Sequence, residues 1–251
     1  MLKLRVLGPV ELSVDGGRTD LGPPRQRAVL AALAVDADRP VAIDELIERV
    51  WGVDPPPGAR SGLYSYVTRL RQALTRDAVP ETALRLASRA GGYELAVDTE
   101  LVDVHRFRRL IRAVWSGAAD DDCLAELIDQ AVWRWRGPAL AGLSGDWAER
   151  TRQLLEQERV DAVVLWAGTQ LQRGRTGPVV STLRGLVDEH PLVEPLAARL
   201  IEALGRDGRT AEALDWYAMT RRRLIEALGT EPGADLRRMH QAVLTGNLQS
   251  A

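Results

Sequence analysis

Hydrophobic and polar positions alternate along the first twenty residues, which is the period of a half-buried β-strand. One alternating run covers residues 2–6 and a second covers residues 10–14, with a Gly-Pro turn between them. A further turn at residues 15–17 precedes a third short strand, expected from Arg18 to Leu21. The chain therefore opens with a small antiparallel sheet.

Helical spacing replaces this alternation after two successive prolines at positions 23 and 24. Apolar residues between positions 28 and 34 form the inner face of a first helix. Asp44 is placed to cap a second helix that ends at Trp51 and Gly52. The segment 52–58 that follows contains three consecutive prolines, so it is extended and holds the next helix at a fixed offset.

The third helix is predicted over residues 59–75 and has two contrasting faces. Its core face repeats at spacings of three and four: Ala59, Leu63, Val67, Leu70 and Leu74. The opposite face carries hydroxyl groups, an amide, an aromatic ring and guanidinium groups, with no acidic residue before Asp77. A face without carboxylates can enter a major groove without repelling phosphates, which favours DNA over an ordinary solvated helix surface.

A second alternating pair of segments, residues 83–88 and 93–97, flanks a glycine-rich turn at residues 89–92 with Arg89 at its tip. Strands, three helices and a terminal hairpin are the layout of a winged helix-turn-helix of the response-regulator type. This α+β domain is predicted over residues 1–97. The hairpin then serves as the wing, and Arg89 reaches the minor groove or the DNA backbone.

Residues 98–251 show only amphipathic helical patterns and are predicted to form an all-α domain. The triplet Gly174–Thr176 recurs at Gly208–Thr210 with the same sequence, Gly-Arg-Thr, after 34 residues. That offset is the tetratricopeptide period, in which stacked helical hairpins present a groove to a partner or effector. The tryptophans of this half are expected in the core.

Composition narrows the function classes. The net charge is −2, but residues 55–93 carry six arginines and only two acidic residues, a local excess of four positive charges. The single cysteine, Cys123, excludes an intramolecular disulfide and is expected in the core.

Three scattered histidines, no phosphate-binding loop and no nucleophile–base pair argue against an enzyme, and no metal or cofactor is predicted. The N-terminus does not have the pattern of a secretory signal, and no apolar run is long enough to span a membrane, so a cytoplasmic, nucleoid-associated protein is expected.

Eight stretches together resemble the Streptomyces antibiotic regulatory proteins, which activate secondary-metabolite gene clusters, and they follow the order of that family. They are RVLGPVEL, LGPPRQRAVLAAL, DELIERVWG, PPGARSGLYSYVTRLRQAL, GGYEL, DVHRFRRL, WRGPAL and ALGTEPGADLRRMHQAVL. The resemblance implies a winged domain followed by a bacterial transcriptional activation domain over residues 98–251, with no catalytic activity. Members bind direct repeats upstream of promoters as side-by-side protomers, and they recruit RNA polymerase through its sigma factor. One departure is that Ser61 and Gly62 stand where the family often has Asn and a β-branched residue.

These arguments give a set of predicted contact residues. DNA contacts are expected from the first helix, from the wing and chiefly from the third helix: Arg25, Gln26, Arg60, Ser61, Tyr64, Ser65, Thr68, Arg69, Arg71, Gln72 and Arg89. The first two of these are expected to hold phosphate. The loop after the second helix resembles the segment by which related winged-helix activators contact polymerase: Trp51, Val53, Asp54, Pro55 and Pro56. The alternative is a scaffold or effector-sensing helical-repeat protein whose winged domain does not act on DNA alone.

Overall fold

The computed structural model describes residues 2–116 and 121–248. By internal packing the chain divides after Arg159 into two compact units, Met1–Arg159 and Val160–Ala251. The predicted boundary after Val97 stays a prediction. Each unit is described by itself.

The first unit opens with the predicted antiparallel sheet, in the order β1-β2-β3. Its strands are β1 (Lys3–Arg5), β2 (Glu11–Val14) and β3 (Gly17–Thr19), and buried Leu4 lies opposite buried Leu12. The third strand ends before Leu21, earlier than predicted. Asp20 bends the chain there by accepting a hydrogen bond from the backbone N–H of Gly22, 2.9 Å away, and the two prolines that follow have no N–H for a ladder.

Three helices follow, and they form the helix-turn-helix. Helix α1 (Pro24–Val35) is apolar on nearly all sides and packs against both α2 (Ile43–Trp51) and α3 (Ala59–Arg76). The predicted capping role of Asp44 is wrong, because α2 begins one residue earlier and has no side-chain cap. Asp44 lies instead in the first turn of α2, where a negative charge suits the helix dipole.

The wing is the outer hairpin of a second three-stranded sheet. Strands β4 (Val41–Ala42), β5 (Leu84–Arg89) and β6 (Gly92–Val97) pair in the order β4-β6-β5. The turn is shorter than predicted, since Arg89 and Gly92 form the last strand pair and only two residues connect them. The predicted winged helix-turn-helix is confirmed.

The first unit continues beyond the wing through a short 3-10 helix (Thr99–Leu101), α4 (Asp103–Trp115), α5 (Asp121–Val132) and the start of α6 (Asp146–Gln172). Asp103 ties α4 to the N-terminal sheet: its carboxylate accepts backbone hydrogen bonds from Val6 at 2.8 Å and Leu7 at 3.1 Å. Burial raises the pKa of Asp103 to about 6, although these N–H groups oppose the shift.

The second unit contains the rest of α6 together with α7 (Thr176–Glu189), α8 (Glu194–Arg206), α9 (Thr210–Leu228) and α10 (Ala234–Thr245). Its two Gly-Arg-Thr triplets occupy equivalent turns. The backbone N–H groups of Arg175 and Arg209 each donate over 2.9 Å to a carbonyl in the preceding helix, and the glycines have φ values of 70° and 76°. Threonine begins α7 in one copy and α9 in the other. The tetratricopeptide-like prediction is confirmed.

Three core assignments were wrong. Trp115 is 72% exposed, Trp133 is 64% exposed, and Cys123 is exposed. Trp115 is the last residue of α4 and Trp133 follows the end of α5, so helical spacing does not bury them. Cys123 lies off the buried stripe of α5, which includes Ala125 and Ile128. His105 takes a capping role, with its Nε2 2.9 Å from the carbonyl oxygen of Ala34.

Within the described ranges, no helix combines the length and apolar character that crossing a bilayer requires. The same residues contain no cluster of three or more histidine, cysteine, aspartate or glutamate side chains arranged to hold a metal ion.

Candidate nucleic-acid interface

Helix α3 presents a continuous polar face to solvent. Its predicted core residues are all buried, and the side chains predicted to face DNA are all exposed: Arg60, Ser61, Tyr64, Ser65, Thr68, Arg69, Arg71 and Gln72. The apolar stripe fixes this orientation, because rotation of the helix would expose leucines in exchange for arginines. A straight polar face of this kind fits the width of a B-DNA major groove, about 12 Å.

Arg69 lies near the middle of this face. Among the described residues, no carboxylate forms an ion pair with it and no hydrogen bond holds its guanidinium. A guanidinium in this state keeps all five N–H donors available, and its planar fork matches the O6 and N7 acceptors of guanine. The guanidinium of Arg69 is therefore available to donate to an external acceptor.

The hydroxyl groups of the face are already used as donors. Ser61 donates to the carbonyl of Gly58, Ser65 donates to that of Ser61, and Thr68 donates to that of Tyr64, each over 2.9 Å. Their oxygen atoms keep free lone pairs. In this conformation these residues act as acceptors, which suits the amino groups of cytosine and adenine.

Arg60 differs from Arg69 because the fold supplies it with a counter-charge. Asp44, at the start of α2, forms an ion pair with its guanidinium. A hydrogen bond with the hydroxyl of Tyr64 and the charge of Asp44 raise the pKa of Arg60. The sequence shows no acidic residue along α3 before Asp77, so this partner was missed; it comes from the preceding helix. Contact between Arg60 and DNA requires exchange of the Asp44 carboxylate for a phosphate or a base.

The wing is held against α3 by Arg71. Its Nε donates to the carbonyl of Leu86 over 2.9 Å, one Nη donates to the hydroxyl of Ser88 over 3.0 Å, and the guanidinium lies 5.8 Å from the ring centroid of Tyr93. These contacts connect the recognition helix to both strands of the hairpin. Arg71 therefore positions the wing. Its remaining N–H donors are available to contact phosphate.

Arg89 lies at the end of β5 and forms a two-pronged ion pair with Glu94 on β6, with both N–O distances at 2.8 Å. This pairing raises the pKa of Arg89 and lowers the pKa of Glu94. The carboxylate of Glu94 offsets part of the positive charge that was predicted for the wing tip. It also orients the guanidinium of Arg89 across the hairpin.

A groove of about 450 Å³ runs between the second half of α3 and β5. Three arginines, Arg71, Arg85 and Arg89, and one carboxylate, that of Glu81, line it together with the hydroxyl groups of Thr75 and Ser88. Arg85 was not among the predicted contacts. It is exposed and has no ion-pair partner in the described part of the chain. Its signal was the alternation of β5, in which Arg85 and Arg89 fall on the same face.

The two residues at the start of α1 that were predicted to contact phosphate differ in exposure. Arg25 is exposed, as expected for such a contact. Gln26 is only 4% exposed, and its amide packs against the backbone of Gly22. The prediction for Gln26 is therefore corrected: a side chain enclosed in the core does not reach a phosphate.

The loop between α2 and α3 is exposed at all four of its predicted contact positions, and Val53 is exposed to 83%. Trp51 anchors this loop. Its ring stacks on Tyr66 with 5.9 Å between ring centroids, and it covers Gly62 so closely that an added Cβ would lie 3.2 Å from the indole. The departure at Gly62 follows from this packing, because a β-branched side chain would displace the indole.

We expect Arg71→Ala to loosen the wing. Loss of its two hydrogen bonds and its contact with Tyr93 lowers the free energy of unfolding by about 1 kcal/mol and increases amide hydrogen exchange in β5 and β6. Gln72→Ala, the next exposed position on α3, is the matched control and leaves exchange in the hairpin unchanged. Equal protection of the hairpin in both variants would show that Arg71 does not hold the wing.

Comparison with known proteins matches two family models to successive parts of the chain. Residues 18–95 match the family model described as "Transcriptional regulatory protein, C terminal", and residues 102–244 match that of the "Bacterial transcriptional activator domain". The chain is 34% identical to the transcriptional regulator RedD of Streptomyces coelicolor, over 97% of this chain and 70% of that protein. It is 36% identical to the regulatory protein AfsR of Streptomyces griseus, over its full length but only 25% of AfsR.

A solved structure has the same architecture. Mycobacterium tuberculosis EmbR, in complex with a low-affinity phosphopeptide, superposes with a TM-score of 0.84 at 32% identity. The match covers 97% of this chain and 65% of the EmbR chain. Both parts of the present chain, the winged part and the helical part, therefore have counterparts in a known regulator.

Proposed function

Because the chain belongs to the Streptomyces antibiotic regulatory protein family of transcriptional regulators, we propose that it activates a secondary-metabolite gene cluster by binding direct repeats upstream of promoters. The observation that supports this most strongly is the face of α3. It is exposed, free of carboxylates along its own length, and flanked by a basic groove that leads to the wing. This chemistry supports a role in DNA binding.

In the proposed complex α3 enters the major groove and the wing lies on the adjacent backbone or minor groove. Arg69 donates to a guanine, and the oxygens of Ser65 and Thr68 accept from amino groups of neighbouring bases. Arg85 and Arg89 bind phosphates along the groove beside β5. Phosphate contacts of this kind set position and affinity, whereas the contacts of α3 set sequence preference.

One winged domain carries a single recognition helix, so one protomer reads one repeat. Two protomers bound side by side on direct repeats lie on the same face of the duplex when the repeats are about 10.5 base pairs apart or a multiple of that distance. This proposed head-to-tail arrangement differs from a two-fold dimer on a palindrome.

The exposed loop at residues 53–56 is the proposed contact to RNA polymerase, including its sigma factor. It starts at Trp51, whose ring packs on α3, so the loop keeps a fixed position relative to the recognition helix. A rigid connection of this kind places the loop at a set distance from the DNA site. Loss of the loop should reduce transcription and leave DNA binding intact.

Genomic and in vitro footprinting of the full chain tests the function. We expect two protected stretches with the same orientation, one helical turn apart, upstream of promoters, and affinity that falls steeply with salt as counterions are displaced. Unspecific binding that does not respond to salt would contradict the activator proposal and favour the protein-scaffold alternative.

A further inference from the structure

A second basic site lies away from α3 and the wing, in a cavity formed by β1, the start of α4 and residues 133–136. We propose that this cavity binds a small phosphate ester. Its volume is about 420 Å³, within the range of sites for small ligands, about 300–1,000 Å³. Five basic side chains contribute to its lining, against two carboxylates, Glu100 and Asp103: Lys3, Arg5, Arg106, Arg134 and Arg136.

The acidic groups on the β1 side of the cavity already have partners. Glu11 forms ion pairs with three arginines: Arg5 at 3.6 Å, Arg136 at 2.6 Å, and Arg18. The carboxylate of Asp103 accepts hydrogen bonds from backbone N–H groups. Asp103 also offsets part of the charge of Arg134, but neither carboxylate forms an ion pair with it among the described residues.

On the α4 side of the cavity, Glu100 also pairs with arginines. It forms an ion pair with Arg109, and its carboxylate lies 4.0 Å from the Nε of Arg106. Arg134 has no ion-pair partner among the described residues. The Nε atoms of Arg106 and Arg134 are both buried and, within the described ranges, neither makes a hydrogen bond. Buried donors of this kind are costly when unpaired, which points to a missing acceptor.

The electrostatic environment of Arg134 also favours an anion in the cavity. Burial and, after it, the nearby charge of Arg106 lower the pKa of Arg134, and the charges of Asp103 and Glu100 offset this only in part. An anion placed between the two guanidinium groups would remove this repulsion and supply acceptors for both. The cavity thus has the charge pattern of a site built for a negative ligand.

Phosphate is the anion that this arrangement suits best. Guanidinium groups bind it through paired, charge-assisted hydrogen bonds, and its two negative charges match the surplus of cations. The cavity is larger than a single phosphate requires, and Trp133, which is 64% exposed, contributes a flat apolar surface to the lining. An organic group esterified to the phosphate would occupy this remaining space.

The test is titration calorimetry of the full chain, without DNA, against two probes, AMP and inorganic pyrophosphate. We expect saturable binding of AMP, tighter than that of pyrophosphate, and an increase in the thermal unfolding temperature; binding of pyrophosphate alone would contradict an ester ligand. Arg134→Gln and Arg106→Gln should each weaken binding at least about tenfold, the loss expected for one charge-assisted hydrogen bond. Arg112→Gln, an exposed arginine on the same helix as Arg106, is the matched control and should bind as the unaltered chain does.

Stability separates a binding defect from a folding defect. In the absence of anion Arg134→Gln should unfold at a temperature no lower than the unaltered chain, because it removes a half-buried charge that has no ion-pair partner among the described residues. No saturable binding, or equal binding by Arg134→Gln and Arg112→Gln, would overturn the proposal. A 20-base-pair duplex distinguishes the other source of phosphate: if Arg134→Gln weakens only duplex binding, the cavity holds the DNA backbone and the small-ester proposal is wrong.

Discussion

Replacing Arg69 with alanine should weaken binding to the specific DNA site by about 1 to 3 kcal/mol, roughly 5- to 150-fold, and leave the fold intact. The reason is that Arg69 is exposed in the middle of the α3 face and, among the described residues, has no protein partner to lose. The measurement is an electrophoretic titration at several salt concentrations with the specific site and a scrambled duplex. A base contact lowers affinity for the specific site alone, whereas a phosphate contact lowers both and reduces the salt slope by about one.

Arg112→Ala serves as the control, since it removes the same charge from an exposed position on α4. Arg60→Ala should have a smaller effect than Arg69→Ala, because Arg60 must first leave Asp44. If Arg69→Ala binds the specific site as tightly as Arg112→Ala does, Arg69 does not read DNA.

Asp103→Ala should give the largest loss of stability, about 2 to 6 kcal/mol in the free energy of unfolding. Two buried backbone N–H groups, those of Val6 and Leu7, lose their acceptor, and each unpaired group costs about 1 to 3 kcal/mol. Chemical denaturation measures the change. Asp98→Ala is the matched control: that carboxylate also accepts a backbone N–H, from Glu100, but is exposed and should cost about 1 kcal/mol.

The pH dependence gives a second readout for Asp103. Its pKa in the folded chain is about 6, above the ordinary value of 3.8, so the folded state retains the proton to higher pH than the unfolded state. The contribution of this group is therefore fully present below about pH 4 and declines as pH rises through 6. The stability difference between the unaltered chain and Asp103→Ala should be larger at pH 4.5 than at pH 7.5. A difference that grows with pH would contradict the assignment.

Periodicity was sufficient to predict the three helices and the hairpin of the winged domain, but not strand β4. The apolar stripe of α3 defined both its core face and its exposed face, and the 34-residue offset of the Gly-Arg-Thr triplets located two equivalent turns. Both signals are local, because a helix or a short repeat fixes the spacing of its own residues. The order of strands and helices followed from them.

Some errors came from positions at helix ends, as for Trp115 and Trp133, and others from tertiary packing. Gln26 was assigned to phosphate from its position near a helix N-terminus, but tertiary packing encloses it. Asp44 was assigned as a cap, yet it pairs with Arg60 sixteen residues later. The cavity lined by Lys3 and Arg134 joins opposite ends of the first unit. Local sequence patterns do not predict tertiary contacts of this kind.

The most direct test of the central claim is methylation interference on the footprinted site. Guanine N7 lies in the major groove, so its methylation should block binding of the full chain at guanines within both repeats, and Arg69→Ala should lose sensitivity at one guanine in each. Binding that tolerates methyl groups at N7 but fails with methylated adenine N3 in the minor groove would contradict entry of α3 into the major groove.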